Sequence, residues 1–362
     1  TVTHGYTFDD ADMAGITQSE CIAARYNAPT YSWTTGTLTD VDETNNIIGE
    51  PGTGSFLENV AFIDGDYTAG DNTPTNPFGT PAIFYSRING AGAGSGLWST
   101  ASNWSYTSHT GPANTGTAVP GINDIVIIGG NDSIYLDRDR SNPWTTDNVD
   151  PRSCASLQIE RGSALDMGYN TNCVFSMVLS HPNGNGNFRV TTSSASGTTF
   201  SFPAGDFTDF NQNLGTTELY TTNPAAGTTY WLPNSVSSYG NLILSPLGGS
   251  NIIFGNTNLT IYGNLVARGQ NSESWYCPTW NSNYPTAPTA RTAKTITING
   301  NFHLQGGALI FYGNNALAQV FKIYGDLIVN PGSGIMVYGS ASNQSMEIGG
   351  DLINNAAFGT GV

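Results

Sequence analysis

Charge is what this sequence has least of. Only 10% of its 362 residues are Asp, Glu, Lys or Arg, against roughly a quarter in ordinary soluble domains, and just two are lysines, Lys294 and Lys322. The charges present lean one way, 27 acidic to 11 basic for a net −16. Such a chain repels phosphate backbones, which are held by clustered Lys and Arg that displace counterions, so nucleic acid is not an expected partner. Long apolar runs are missing as well. None approaches the roughly 18 residues that cross a bilayer as a helix, and no transmembrane segment is expected. The four cysteines, Cys21, Cys154, Cys173 and Cys277, contain no CxxC pair and have no His at ligand spacing, which argues against structural zinc. They allow three pairings. At least one disulfide is expected, Cys154 and Cys173 being nearest in sequence, with small buried thiols as the alternative. Absent too are the Leu-, Glu- and Lys-rich stretches of 3.6-residue period that make amphipathic helices.

In place of charge stand Gly, Asn, Thr and Ser, with 44 glycines. Runs of Val, Ile, Thr, Tyr and Phe broken by Gly, Asn and Pro read as all-β. The chain is long enough for two ordinary domains or one elongated one. It opens on "TVTHGYTF", without Met, a basic stretch or an apolar leader, and closes on "NNAAFGTGV" in mid-pattern. A mature or excised piece of something larger is expected.

One short phrase recurs. Aligned on its glycine it reads "YGNLIL" at Gly240, "LTIYGNLVA" at Gly263, "ITINGNFHL" at Gly300, "FKIYGDLIV" at Gly325 and "MEIGGDLIN" at Gly350, at intervals of 23, 37, 25 and 25 residues. A strand repeated at a period in the twenties marks a stacked β-coil, in which each repeat buries its apolar face against the next. The long interval holds "QNSESWYCPTWNSNYPTAPTA", read as a loop extruded from one coil. Alternation places Leu259, Ile261, Leu265, Ile296, Ile298, Phe302, Leu304, Phe321, Ile323, Leu327 and Val329 inward. The glycine is read as a bend at positive φ. The residue after it (Asn241, Asn264, Asn301, Asp326, Asp351) is expected to bond backbone at the corner and stack as a ladder. A second phrase, "GGALIFYG" (306–313), "GSGIMVYG" (332–339) and, upstream, "RGSALDMG" (161–168), sits in the other half of some coils.

Further upstream, residues 82–168 carry a YSR strand, a "GLWSTASNWS" clasp, "PGINDIVII" and "CASLQIERGSAL". Together with "YGNLILSPLGGSNIIFGNTNLTIYGNLVARG" this stretch resembles modules of very large exported surface proteins of Bacteroidetes. The resemblance covers roughly residues 82–362. It implies cargo of the type IX secretion system, of the kind that includes gliding-motility adhesins, at the cell surface and associated with the outer membrane. Read without that resemblance, Trp98 and Trp104 form a cap over the open end of the first coil, with a sugar-stacking platform as the rival.

Residues 1–81 share none of this and are read as a small β-domain, possible end of a preceding module. Its acidic knots offer the alternating hard oxygens that Ca²⁺ takes: Asp9, Asp10 and Asp12, then Asp40 and Asp42, then Asp64 and Asp66. No EF-hand spacing, "GGxGxD" nonapeptide, G-x-S-x-G elbow or phosphate loop occurs, and no cofactor other than Ca²⁺ is suggested. "YLDRDRSNPW" (135–144) reads as an exposed ion-pair cluster. Trp275, Tyr276, Trp280 and Tyr284 in the long insertion are the aromatic contacts that glycan faces or protein partners use.

The expected architecture is therefore all-β, an elongated parallel β-helix with coils of about 25 residues. A cap region spans 82–120, an irregular middle 175–235 and regular coils 236–362, after the β-domain of 1–81. The expected role is a non-catalytic adhesin or stalk segment that contacts surface glycans or other cell-surface proteins. The rival is a polysaccharide lyase or hydrolase, or a carbohydrate-binding module, on the same scaffold.

Overall fold

The computed structural model describes residues 5–7, 21–27, 32–35, 41–42, 44–49, 66–71, 82–88, 94–136, 152–168, 173–192, 199–200, 202–221, 228–247, 250–254, 257–269, 274–276, 294–312, 319–338 and 344–356. The chain divides into two compact units. One is Thr1–Ile83 with Pro120–Ile125 and Cys154–Ser156; the other is Phe84–Val119, Val126–Ser153 and Leu157–Val362.

Antiparallel strands build the first unit. Cys21–Asn27 is the central strand of three, between Ser32–Thr35 and Asp66–Asp71, and its Ile22, Ala23 and Ala24 are all buried. Tyr6–Thr7, Ile47–Ile48 and Val41–Asp42 form a smaller sheet centred on Ile47–Ile48. The "PGIND" phrase acquires a reason here. The Asp124 carboxylate accepts the N–H of Gly121 at 2.8 Å and that of Ala82 at 3.0 Å, closing one turn and tying down a second segment. Burial pushes that carboxyl above its usual range, against the pull of these two donors.

The second unit is a parallel β-helix. Its long sheet stacks ten strands in the order Ser95–Leu97, Ser133–Tyr135, Ala164–Asp166, Asn187–Val190, Thr216–Tyr220, Asn241–Ser245, Leu265–Ala267, Phe302–Leu304, Leu327–Val329 and Leu352–Asn354. In the early coils the long sheet is opposed by a six-stranded sheet whose outermost strands are Trp104–Ser105 and Ala204–Asp206. From Thr229 onward each coil lays down three strands, one per sheet. One five-stranded sheet stacks Thr229–Trp231, Asn251–Ile253, Ser274–Tyr276, Gly307–Tyr312 and Ser333–Tyr338. The other stacks Ser238–Tyr239, Leu259–Ile261, Lys294–Ile298, Gln319–Ile323 and Gln344–Ile348. A helix of five residues, Thr208–Gln212, lies where the change occurs and buries Phe210 and Asn211.

All eleven residues assigned inward by alternation are buried. They form columns along the stack, such as Leu242, Leu265, Phe302 and Leu327 in consecutive coils. The irregular middle keeps the same columns: Phe188 and Leu242 flank Thr217 in register. Trp98 and Trp104 are fully buried, their rings packed edge to face with centroids 5.2 Å apart, and the Trp104 indole N–H donates to the Trp98 carbonyl at 2.8 Å. They close the interior of the first coil. Rings with no exposed face are not a platform for sugar.

The corner ladder forms as expected, and its bonds can be followed coil by coil. Asn241 Oδ1 accepts the N–H of Asn264 at 2.9 Å, Asn264 that of Asn301 at 2.8 Å, Asn301 that of Asp326 at 2.8 Å, and Asp326 that of Asp351 at 2.9 Å. The glycines beside it need a different explanation from the one their sequence suggests. None of Gly240, Gly263, Gly300, Gly325 and Gly350 is at positive φ. A Cβ on Gly263, Gly300, Gly325 or Gly350 would instead collide with the ladder oxygen of the coil before: Asn241, Asn264, Asn301 and Asp326 Oδ1 in turn. The glycines also bond each other, Gly300 N–H to Gly263 O at 2.9 Å and Gly325 N–H to Gly300 O at 3.1 Å. Left-handed glycines occur at other turns, Gly162 at +88°, Gly307 at +74° and Gly332 at +79°. These three begin the second phrase, whose upstream copy belongs to a different face: Ala164–Asp166 is in the long sheet, whereas Gly307–Tyr312 and Ser333–Tyr338 are not.

Two other expectations are corrected. The insertion between Gly263 and Gly300 is not wholly extruded, because Ser274–Tyr276 is a regular strand paired with Asn251–Ile253 and Ala308–Ile310. Cys154 and Cys173 are both buried thiols rather than two ends of a bridge, and burial raises the Cys173 thiol to about 12. Cys277 lies outside the described residues.

Changing Gly325 to Ala is expected to destabilise by roughly 1–3 kcal/mol through overpacking. In an Asn301→Ala background the same change should cost less, because the oxygen it strikes is gone. Additive losses in a urea-denaturation double-mutant cycle would refute the coupling. The Tyr239 hydroxyl is buried without a hydrogen-bond partner among the described residues. Tyr239→Phe should therefore hold or raise the melting temperature, since an orphan buried hydroxyl costs about 1 kcal/mol or more; a clear fall in thermal denaturation would contradict this.

Candidate functional site

Most of the acidic-knot residues, Asp9, Asp10, Asp12, Asp40 and Asp64, lie outside the described residues, as do Trp280, Tyr284 and residues 137–144. Asp42 makes a local turn. Its Oδ1 accepts the N–H groups of Thr44 at 2.9 Å and Asn45 at 3.2 Å, and its Oδ2 accepts the Asn45 amide at 2.5 Å. The Asn45 amide foremost, with the backbone donors, holds this carboxyl below its usual range. Asp66 and Asp71 begin and end one six-residue strand, about 16 Å apart at strand rise. Among the described residues no three His, Cys, Asp or Glu side chains converge to hold a metal ion. Trp275 and Tyr276 stand in register between Ile252 and Leu309, and between Ile253 and Ile310. His303 occupies an outward position of the long sheet, between Val266 and Ile328.

Ionic side chains gather on the outward face of the long sheet in its irregular middle. Asp166, Arg189 and Glu218 are consecutive partners in register. The Arg189 guanidinium bonds Asp166 at 3.0 Å through Nη1 and Glu218 at 2.9 Å through Nε. Tyr220 donates its hydroxyl to Asp166 at 2.7 Å and presents its ring to the guanidinium at 4.6 Å. Glu218 also accepts from Ser245 at 2.9 Å and from Asn187 at 3.3 Å, and Arg268 approaches it at 3.7 Å. The acids are sheltered, with side chains 5% and 10% exposed, while Arg189 is 28% exposed. Burial alone would raise the Glu218 carboxyl, but the charge of Arg189 and the hydrogen bonds outweigh it, and the group sits below its usual range. Burial likewise works against the Arg189 cation, yet Asp166 and Glu218 more than compensate and its pKa is raised.

This cluster is one feature that sequence reasoning missed. Outward groups one coil apart are its signature, but the intervals 166 to 189 and 189 to 218 are 23 and 29 residues, which the regular 25-residue spacing does not flag. Chemically the cluster has little to offer catalysis. Glycoside hydrolysis needs a carboxylic acid that keeps its proton. Every carboxylate oxygen of Asp166 and Glu218 already accepts a bond from Arg189, Tyr220, Gly168, Asn187 or Ser245.

A second grouping imitates a catalytic triad. Ser86 Oγ lies 3.5 Å from His109 Nδ1, and His109 Nε2 lies 4.0 Å from Glu160. The roles fail on geometry. Ser86 is fully buried, donates to the Gly129 carbonyl at 3.1 Å and accepts from the Gly129 N–H at 3.0 Å. His109 Nδ1 sits 2.8 Å from the Ser86 carbonyl, which can only accept, so this nitrogen carries the proton and cannot take one from the hydroxyl. Glu160 instead binds Asn183 at 2.9 Å and the Gly130 N–H at 3.2 Å. Burial would raise its carboxyl; those donors and the two nearby imidazoles, His181 and His109, leave it lowered.

Comparison with known proteins gives no match to a family model, to a curated protein or to a solved structure.

Arg189→Met should cost about 3 kcal/mol at neutral pH, because it strands two sheltered carboxylates. The pH dependence should change sign. In the parent chain the lowered Glu218 pKa contributes stability that is lost as pH falls through the acidic range. In the variant the stranded acids have raised pKa values, so acidification restores stability. Urea denaturation at pH 4 and 7 reads this; parallel losses in both chains would refute it.

Proposed function

We propose that this chain is a non-catalytic segment of a large exported bacterial surface protein, a stalk or adhesin that displays contact surfaces for glycans or other cell-surface proteins. The observation that carries this reading is how the stack uses its polar groups. Acids on its outward faces and corners are spent on holding coils together: Asp326 on the N–H of Asp351, Asp166 and Glu218 on Arg189. A surface whose carboxylates are committed to neighbours suits spacing and display better than acid–base chemistry. The resemblance of residues 82–168 and 240–269 to Bacteroidetes surface proteins supports the same reading and suggests type IX export. Trp275, Tyr276, Trp280 and Tyr284 are the proposed adhesive contacts, and Ca²⁺ at Asp9, Asp10, Asp12, Asp40, Asp42, Asp64 and Asp66 is the proposed accessory ion.

A second reading, a carbohydrate-active enzyme, rests on one observation: two carboxylates and an arginine on adjacent coils of an outward sheet face. Exposure of the purified chain to a glycan array and to insoluble polysaccharides, with and without Ca²⁺, followed by product analysis, separates the two. Retention without cleavage is expected. Reducing ends or unsaturated products would favour the enzyme. Replacing Trp275 and Trp280 together by Ala should reduce retention by about tenfold or more, as expected for loss of aromatic contacts; unchanged retention would remove the insertion from the contact surface.

A further inference from the structure

The six-stranded sheet stops at Ala204–Asp206, and the sheet that begins at Ser238–Tyr239 does not pair with it. One face of the stack is therefore interrupted for a coil, and a cleft of about 510 Å³ lies at the interruption, within the range of small-ligand sites. Its apolar lining comes from Phe202, Phe207 and Val236, the two rings 4.9 Å apart. Opposite them are the hydroxyls of Ser235, Ser237 and Ser238, none of which makes a hydrogen bond with another described residue. Asp206 adds one carboxylate, which already binds the N–H of Thr208 at 2.8 Å. No Lys or Arg lines the cleft.

This chemistry selects a ligand class. An apolar floor beneath a rim of unspent hydroxyls matches the C–H face and hydroxyl edge of a sugar ring. The absence of basic groups and the presence of Asp206 disfavour uronic acids, sulfated sugars and phosphates. An added peptide strand is disfavoured as well. The edge available to it is three residues long, its register slips between Phe175 and Met177, and Gly205 sits at φ +147°. Bulged, short edges do not continue a ladder. We infer that this cleft is a binding site for a neutral oligosaccharide, distinct from the aromatic insertion.

Saturation-transfer NMR and calorimetric titration of the whole chain with maltotriose, cellotriose, mannotriose and triacetylchitotriose test this, with trigalacturonate as the anionic control. At least one neutral trisaccharide should bind, and trigalacturonate at least about tenfold more weakly. Ser237→Trp and Ser235→Tyr, both at exposed rim positions, should each weaken binding about tenfold or more with unchanged melting temperature, while Trp275→Ala leaves it intact. Binding to none of the neutral sugars, equal binding of trigalacturonate, or full affinity in both rim variants would overturn the site. Sensitivity to Trp275→Ala alone would also overturn it, while leaving the adhesive role of the insertion standing.

Discussion

A backbone N–H at the corner of a stacked coil cannot pair within its own coil, and burying or crowding it without a partner is costly. Here the partner is the side chain one coil back. Each Asn or Asp of the ladder accepts the N–H of its counterpart in the next coil. The oxygen that does so occupies the space where the next coil's preceding residue would carry its Cβ, so that residue is Gly. The Gly–Asn pair is thus one device rather than two preferences. It also bears on composition. The ladder supplies its acceptors mainly as neutral amides, and coils that pair along their whole length need few lysines to protect open edges. Abundant glycine and scarce charge are consistent with that arrangement.

The regular part of this architecture was legible because strand alternation and period are properties of residue order. Leu265, Phe302 and Leu327 are two residues past their glycines, and all are buried in one column. What was not legible depends on neighbours from another coil. Gly300 is visible in the sequence; Asn264 Oδ1 above it is not, and positive φ was the wrong cause. Ser274–Tyr276 is hidden by its surroundings: three residues are enough for a strand when partners stand on both sides, but too few to stand out among Ser, Asn and Pro. Asp166, Arg189 and Glu218 meet because the sheet keeps register through intervals of unequal length.

The irregular middle is where the molecule departs from its own rules, and the departures coincide. Within residues 163–245 occur the ionic cluster, the short helix, the change from two sheet faces to three, and the cleft. Three buried hydroxyls without partners also fall there, those of Ser163, Thr217 and Tyr239. A repeating stack can place a special group only by breaking its repetition, because a regular coil presents the same outward pattern as the coil beside it. Departure from local regularity is thus itself a guide to where such a fold differentiates.

The 37-residue interval between Gly263 and Gly300 is bridged by the same Oδ1 to N–H bond as the 25-residue interval that follows. The stack therefore counts corners and not residues. Extra chain can leave and return between two corners without disturbing the coils above, whereas shifting one corner by a single residue would put a side chain where only hydrogen fits. A gene of this kind can lengthen by duplicating whole coils, or vary by enlarging what hangs between them, while the alignment of every other coil is kept by the one just before it.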